Sequence, residues 1–472
     1  MLEKSRRKFL GATMLGAGAM LSGCGFKYSG AQTTNKGRIL LNQIPNLPLG
    51  LSEAAHFPLI EAIHGRRSRR FARGTSIPDG PLAYTSKHAP APLSEMEKML
   101  LLTTVSGNTG WSNLIPYNRS YLPKIPNYAS AAGGRSFPSA AGFHTTEIFY
   151  TDDNGAYYFP TRDMHSTETK DGTNEIDLNA YLNEHKSRIV KLSDGRLKTP
   201  ALPQHMEMHN EWCANVPGST LIIPVSDLAQ HFLLSLCYLV QNGACIFDDI
   251  NKQAIPGMER FKNMVDVDNP YPLSYVEQLS LTEVTVETST ACYAGALMLQ
   301  AMGLGGWMYE GINPFSILGA SGDPQVPGLG FRYDTDERWP LPNVTGLEGI
   351  FEAYCPPHFA DMRVAVEAVV ARKFGSGGPY NSSTAGPYKN NAGIRGRAAP
   401  HNEAFIDCVA TMAQYIYDKF GKFPATVPSI FTMMYLQAHL LDTDFYDEHF
   451  TAGAYLRTHA NHDRDWKRKY TR

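Results

Sequence analysis

The chain has 472 residues, 43% of them hydrophobic and 11% aromatic, and a formal net charge of −2. That is enough chain for one large or two ordinary domains; its apolar content excludes a disorder-dominated protein, and its slight acidity argues against nucleic acid as a partner. The seven cysteines form no Cys-x-x-Cys pair and have no zinc spacing, and Cys237 and Cys292 sit in apolar helical contexts that read as core.

The first residues, MLEKSRRKFLGATMLGAGAMLSGCG, divide into a basic head, a short apolar stretch and a small-residue stop, the layout of a signal peptide. Arg6 and Arg7 between Ser5 and Lys8, followed by Phe9 and Leu10, resemble the twin-arginine export consensus. The stretch from Phe9 to Gly23 is too short to span a bilayer of about 30 Å. Leu21-Ser22-Gly23-Cys24 looks like a bacterial lipobox, in which Cys24 is acylated and becomes the first mature residue. Two or more lipid chains on Cys24 would make a stable anchor. The expected address is therefore the periplasmic side of a cell-envelope membrane, lipid-anchored. Without residues 1–23, which carry Lys4, Arg6, Arg7 and Lys8 against Glu3, the charge of −2 becomes about −5. The twin-arginine route moves proteins already folded, often with a cofactor loaded, so a bound redox cofactor is expected.

After a linker at 24–46, the spacing predicts a helix over Ser52–Arg66 with Ser52 as N-cap, and another over Leu93–Val105 with Ser94 and Glu97 as a capping box. Thr146–Tyr150 and Ala156–Phe159 flank Asp-Asp-Asn-Gly and read as a hairpin. Leu221–Val225 reads as a strand, Asp227 to about Val240 as a helix, and Cys245–Phe247 as a further strand. A small-residue helix over Glu287–Met302 runs into Gly303-Leu304-Gly305-Gly306. More helices are expected at Phe359–Phe374, Glu403–Phe420 and Val427–Leu441, with Gly375–Gly396 as loop. The pattern is α+β, without strict βαβ alternation and without an internal repeat.

Two constellations carry chemistry. In Ile63-His64-Gly65-Arg66-Arg67-Ser68-Arg69-Arg70-Phe71 several guanidiniums and a hydroxyl stand together, a natural clamp for a phosphate. Taken alone, a solvated basic face is the plainer explanation. In Gly303-Leu304-Gly305-Gly306-Trp307-Met308-Tyr309-Glu310-Gly311 a helix ends in glycines, a short strand follows, and a Glu-Gly turn offers backbone N–H groups.

Together these segments resemble the nitroreductase-like flavin oxidoreductases. The resemblance implies a mixed sheet flanked by helices and FMN as cofactor. In that family an Arg-Arg-Ser-x-Arg at the end of the first helix holds the FMN tail, and a later Glu-Gly lies at the flavin N5 edge. Arg66, Arg67, Ser68 and Arg70 would then grip the tail, and Glu310 and Gly311 would face the reactive edge. Arg135 to Glu147, with Pro138-Ser139-Ala140, resembles the Pro-Ser-x-Gly-x-x-x-x-Glu segment of the branch that includes thiazole- and oxazole-forming dehydrogenases. Pro138, Ser139 and Ala140 would lie against the flavin.

The likeness covers about Ser52 to Gly330, so residues 47–330 are expected to form the flavin domain with insertions and 331–472 a mostly helical C-terminal region. The adjacent Lys-Tyr of the azoline oxidases is absent from Leu281 to Glu287, which disfavours peptide heterocycle oxidation. For the family's later basic residue on the phosphate, Arg332, Arg338, Arg395 and Arg397 all compete. The resemblance implies ping-pong hydride transfer through flavin N5 with a small-molecule redox substrate, and a homodimer. Because NAD(P)H is scarce outside the cytoplasmic membrane, the electron source or sink is expected to be a quinone, oxygen or another exported protein. The competing reading is a lipoprotein of this fold that has lost flavin and serves as a binding or scaffold protein. His439 and Asp442, at i and i+3, could share a helix face as metal ligands, but caps and surface hydrogen bonds explain them better, and no metal is expected. His205, Glu207 and His209 read as solvated loop.

Overall fold

The structure, a computed structural model, describes residues 39–40, 48–117, 127–164 and 176–466. The expected export signal and Cys24 lie outside the described residues, as does nearly all of the linker. No helix among the described residues is long and apolar enough to cross a membrane.

The main sheet has seven strands: β1 (Thr146–Asp152), β2 (Gly155–Phe159), β3 (Val190–Asp194), β4 (Thr220–Asp227), β5 (Gly305–Tyr309), β6 (Ile430–Phe431) and β7 (Tyr435–His439). Their order is β5-β7-β4-β1-β2-β3, with β6 on the far end of β4. Every pairing is antiparallel, where the resemblance implied a mixed sheet. The β1–β2 hairpin turns through Asp153-Asn154, with Asp152 opposite Gly155 and the Asp152 side chain accepting from the Asn154 N–H at 2.9 Å.

Helices cover both faces: α1 (Leu49–Ala55), α2 (Leu59–Gly65), α3 (Glu95–Ser106), α4 (Leu178–Ser187), α5 (Leu228–Gln241), α6 (Leu273–Met302), α7 (Met362–Phe374), α8 (Glu403–Phe420) and α9 (Thr443–His449). Strand alternation separates two cores. Ile148, Tyr150 and Ile222 face one core with α3 and the C-terminal half of α6; Phe149, Leu221 and Ile223 face the other with α5, α7 and α8. The 30 residues of α6 run about 45 Å and join both: Leu273 and Val276 belong to the second core, Ala291 to Met302 to the first.

The predicted helix over Ser52–Arg66 is two, because Pro58 has no N–H to continue the ladder and stands as the N-cap of α2. Ser94 and Glu97 form the expected capping box on α3, and Asp227 caps α5. Val427–Leu441 is not a helix. Its β-branched and aromatic residues, Ile430, Phe431 and Tyr435, enter the sheet instead, and β7 fills the place between β4 and β5. The C-terminal third is therefore not a helical appendage: the boundary drawn at residue 330 passes through one sheet.

Candidate functional site

The basic segment begins where α2 stops. Past Gly65 the backbone becomes extended at Arg66 and lies beside the start of β5, where Arg69 and Gly306 exchange backbone hydrogen bonds of 3.2 and 2.9 Å. Gly306 permits this: its φ is +146°, and a Cβ there would stand 2.1 Å from the Gln437 carbonyl oxygen of β7. The two sequence constellations are thus brought side by side.

The arginines divide by position. Arg69 is 2% exposed and donates to Ala454 O at 3.0 Å, Gln300 Oε1 at 2.6 Å and Gly65 O at 3.1 Å, and burial pulls its pKa down to about 10. It is committed to the fold. Arg67 is exposed and bends back to the carbonyls of His64 and Arg66 at 2.9 and 2.8 Å, and Ser68 is exposed beside it. The half-buried Arg66 guanidinium makes no hydrogen bond among the described residues. Arg70 turns the other way: its guanidinium lies 5.2 Å from the Trp307 ring and reaches the His209 carbonyl at 3.5 Å.

Trp307 and Tyr309 stack on β5 with centroids 4.9 Å apart. Beyond them Glu310 is exposed and Gly311 buried, with φ +120° and the Asn210 Nδ2 only 2.8 Å from where a Cβ would stand. The Gly311 carbonyl accepts from Glu207 N–H at 3.0 Å. Around this turn four buried polar atoms have no partner among the described residues: Asn210 Nδ2 and Oδ1, Trp307 Nε1 and the Tyr309 hydroxyl. Burial pushes the nearby Cys213 thiol up to about 11. Two stacked rings, a cation beside them and unmatched donors and acceptors are the polar and aromatic groups that a planar anion would meet at this edge.

The third segment lies elsewhere. The Ser139 hydroxyl donates to the buried Glu287 of α6 and accepts from His144 N–H at 2.8 Å. Glu287 Oε2 also accepts from Thr145 N–H at 3.2 Å, Thr146 N–H at 3.1 Å and the Thr146 hydroxyl at 2.6 Å. Burial, then Arg135, pulls the His144 pKa down to about 3. Glu287 and Gln300, the Arg69 partner, are 13 residues apart on one helix, or about 20 Å. Pro138 is exposed and Ala140 half-buried next to this node. The contacts of Ser139 and those of Arg66–Arg70 run to different partners.

Among the later arginines, Arg332 pairs with Asp334 at 3.2 Å, Arg338 with Asp336 at 2.6 Å, and Arg395 donates to Pro379 O and Ala385 O; Arg397 is exposed. His439 sits buried on β7 and Asp442 is the N-cap of α9, so they share no helix face. Asp442 and Asp444 approach His88 instead, with His88 Nε2 3.0 Å from Asp444 Oδ2, while the Asp442 carboxylate accepts from Ser86 at 2.5 Å. His205 is buried and pairs with Ser316 at 2.8 Å, so it is not solvated as expected, while the exposed Glu207 and His209, the latter in the 3-10 turn Met208–Asn210, pair at 3.3 Å. The six cysteines other than Cys24 are buried free thiols. Sequence reasoning missed Arg69, Asn210 and Glu287. The first stood in the basic run with nothing to mark it as buried, and the other two lie in segments with no motif.

No protein-family model and no curated protein matches the chain. Among solved structures it is similar to the "putative nitroreductase" of Ralstonia eutropha JMP134, at 13% identity over 60% of this chain and 80% of that one, with a TM-score of 0.25, a likeness too slight to decide fold or function.

Proposed function

We propose that the chain is an FMN-dependent oxidoreductase, exported by the twin-arginine route and anchored through a lipid on Cys24. The observation that supports it is the meeting of the basic segment with β5 around unsatisfied buried polar atoms. Arg66, Arg67 and Ser68 would hold the phosphate, Arg70 and Trp307 would line the approach, and the backbone N–H groups of Glu310 and Gly311 would be available to the ring. Pro138, Ser139 and Ala140 would meet another part of such a ligand, with Ser139 held in place by Glu287. Bound there, the flavin would supply hydride exchange with a small-molecule redox substrate, the ping-pong route that the resemblance implies. A quinone, oxygen or an exported protein serves as electron partner, and the resemblance adds a homodimer.

The test is the visible spectrum of the purified protein: a yellow preparation with equimolar FMN, bleached by dithionite. The second reading, a flavin-less binding protein, draws on the commitment of Arg69 and Ser139 to the fold, and a preparation that stays colourless after FMN supplementation would establish it. Cell fractionation tests the address: Cys24→Ala should release the protein from membranes, and replacing Arg6 and Arg7 with Lys should hold it in the cytoplasm.

A further inference from the structure

Away from the β5 edge, a cavity of about 250 Å³ opens between α5, the N-terminal half of α6 and the Ala140–Phe143 turn. Phe143, Tyr238, Tyr271, Tyr275 and Leu279 make most of its wall, and a second ring, Tyr128, backs Tyr238 at 4.9 Å. Its one charged lining residue is Glu283; none is basic.

Glu283 is held from behind. Its Oε2 lies 2.7 Å from Nε2 of the fully buried His231, whose Nδ1 is 3.3 Å from the Thr145 hydroxyl and whose ring packs edge-on against Phe143 at 5.0 Å. With the Thr145 hydroxyl donating to Nδ1, Nε2 carries the proton and donates to Glu283. One carboxylate oxygen is thereby fixed, and the other has no partner among the described residues. A carboxylate in an aromatic enclosure is a cation detector: ring faces attract positive charge, the carboxylate adds a Coulombic term strengthened by partial burial, and anions are repelled.

We propose that this cavity binds a small organic ammonium ion, with the cationic head at Glu283 and its methyl or methylene groups against the tyrosine rings. The cavity shares Ala140 with the flavin reading, and competition with FMN tells the two apart.

Isothermal titration of the whole protein with choline and with its uncharged carbon isostere, 3,3-dimethylbutan-1-ol, tests the assignment. Choline should bind saturably at one site, and the isostere about tenfold or more weaker. Glu283→Gln, which keeps an acceptor for His231, should lose about tenfold or more of the choline affinity with its circular dichroism unchanged. Tyr275→Ala should weaken choline binding by a smaller factor and serves if the Gln variant fails to fold. Equal affinity for the two probes, absence of choline binding, or a folded Glu283→Gln variant that binds like the parent would overturn the proposal. So would displacement of choline by FMN, which would give the cavity to the flavin.

Discussion

The Glu287 node and the β5 edge are both buried and both polar, and each includes a residue singled out by sequence, yet they are built on different principles. At Glu287 one carboxylate gathers two backbone N–H groups and two hydroxyls, so its own donors are matched within the chain, although His144 Nδ1 and Ser136 Oγ close by are not. At the β5 edge four buried polar atoms stand unmatched beside a cation and two stacked rings. A matched carboxylate holds a fold together, whereas unmatched atoms grouped beside a cation and two rings leave donors and acceptors that a bound molecule could take up. Resemblance alone would have weighed Ser139 and Arg66 equally; hydrogen-bond accounting separates them.

The sharpest break between the two regions should come from Glu287→Ala. Two buried backbone N–H groups lose their acceptor at about 1–3 kcal/mol each, so we expect a loss near 3–5 kcal/mol in urea unfolding, against little for Glu287→Gln. A stability loss below 1 kcal/mol would remove the node from the fold's supports. Next in size, Arg66→Ala should weaken FMN binding by about 10- to 100-fold, corresponding to a lost charge-assisted contact of about 1.5–3 kcal/mol, while the melting temperature stays put. Equal FMN dissociation constants for deflavinated parent and variant would leave Arg66 as a surface charge.

Acid should weaken both regions together. Burial holds the histidine pKa values low in the folded protein: His144 and His459 at about 3, His185 and His439 at about 4, and His401 at about 2. Once the pH drops below about 6.5 the unfolded chain takes up protons that the folded chain refuses, so stability falls from pH 6.5 towards 4, by up to about 1.4 kcal/mol per pH unit for each histidine. Asp227, pushed by burial up to about 7, contributes the opposite slope across that window and offsets one histidine. Urea midpoints at pH 7, 6 and 5 should decline in that order, and a flat series would contradict the burial of these rings. The smallest effect is expected from Trp307→Phe, which keeps a ring under Arg70 and deletes one unmatched donor. The deflavinated protein should gain about 1 kcal/mol or less, and FMN affinity should drop; a drop without the gain would mean that the indole N–H is matched before the ligand arrives.

Much of the secondary structure was legible because its signals are local. Ser94-x-x-Glu97, Asp227 before an apolar run and Asn402 before Glu403 each announce a helix start within one turn. Val427–Leu441 was misread because its strand character depends on the vacancy between β4 and β5, which local periodicity cannot see. At the site, Gly306 and Gly311 were visible as glycines in a motif, and Arg66 to Arg70 as charges. Which arginine would be buried was not visible, since that follows from the antiparallel register of Arg69 with Gly306. Glu287 and Glu283 lie four residues apart on the same helix and looked alike; tertiary neighbours alone make one a matched anchor and the other the floor of a cavity.

The position of β7 also sets the order in which this chain can acquire its structure. Residues 435–439 lie between strands that begin at residues 220 and 305, so on the ribosome the sheet waits as two separate pieces, each with an open edge, until residue 439 has been made. Contacts so distant in sequence close slowly, and open edges invite pairing with other chains in the meantime. Were the chain exported folded, as proposed, it would need a holding period after synthesis, and a chain cut short before residue 435 would leave the β4 and β5 edges to aggregate.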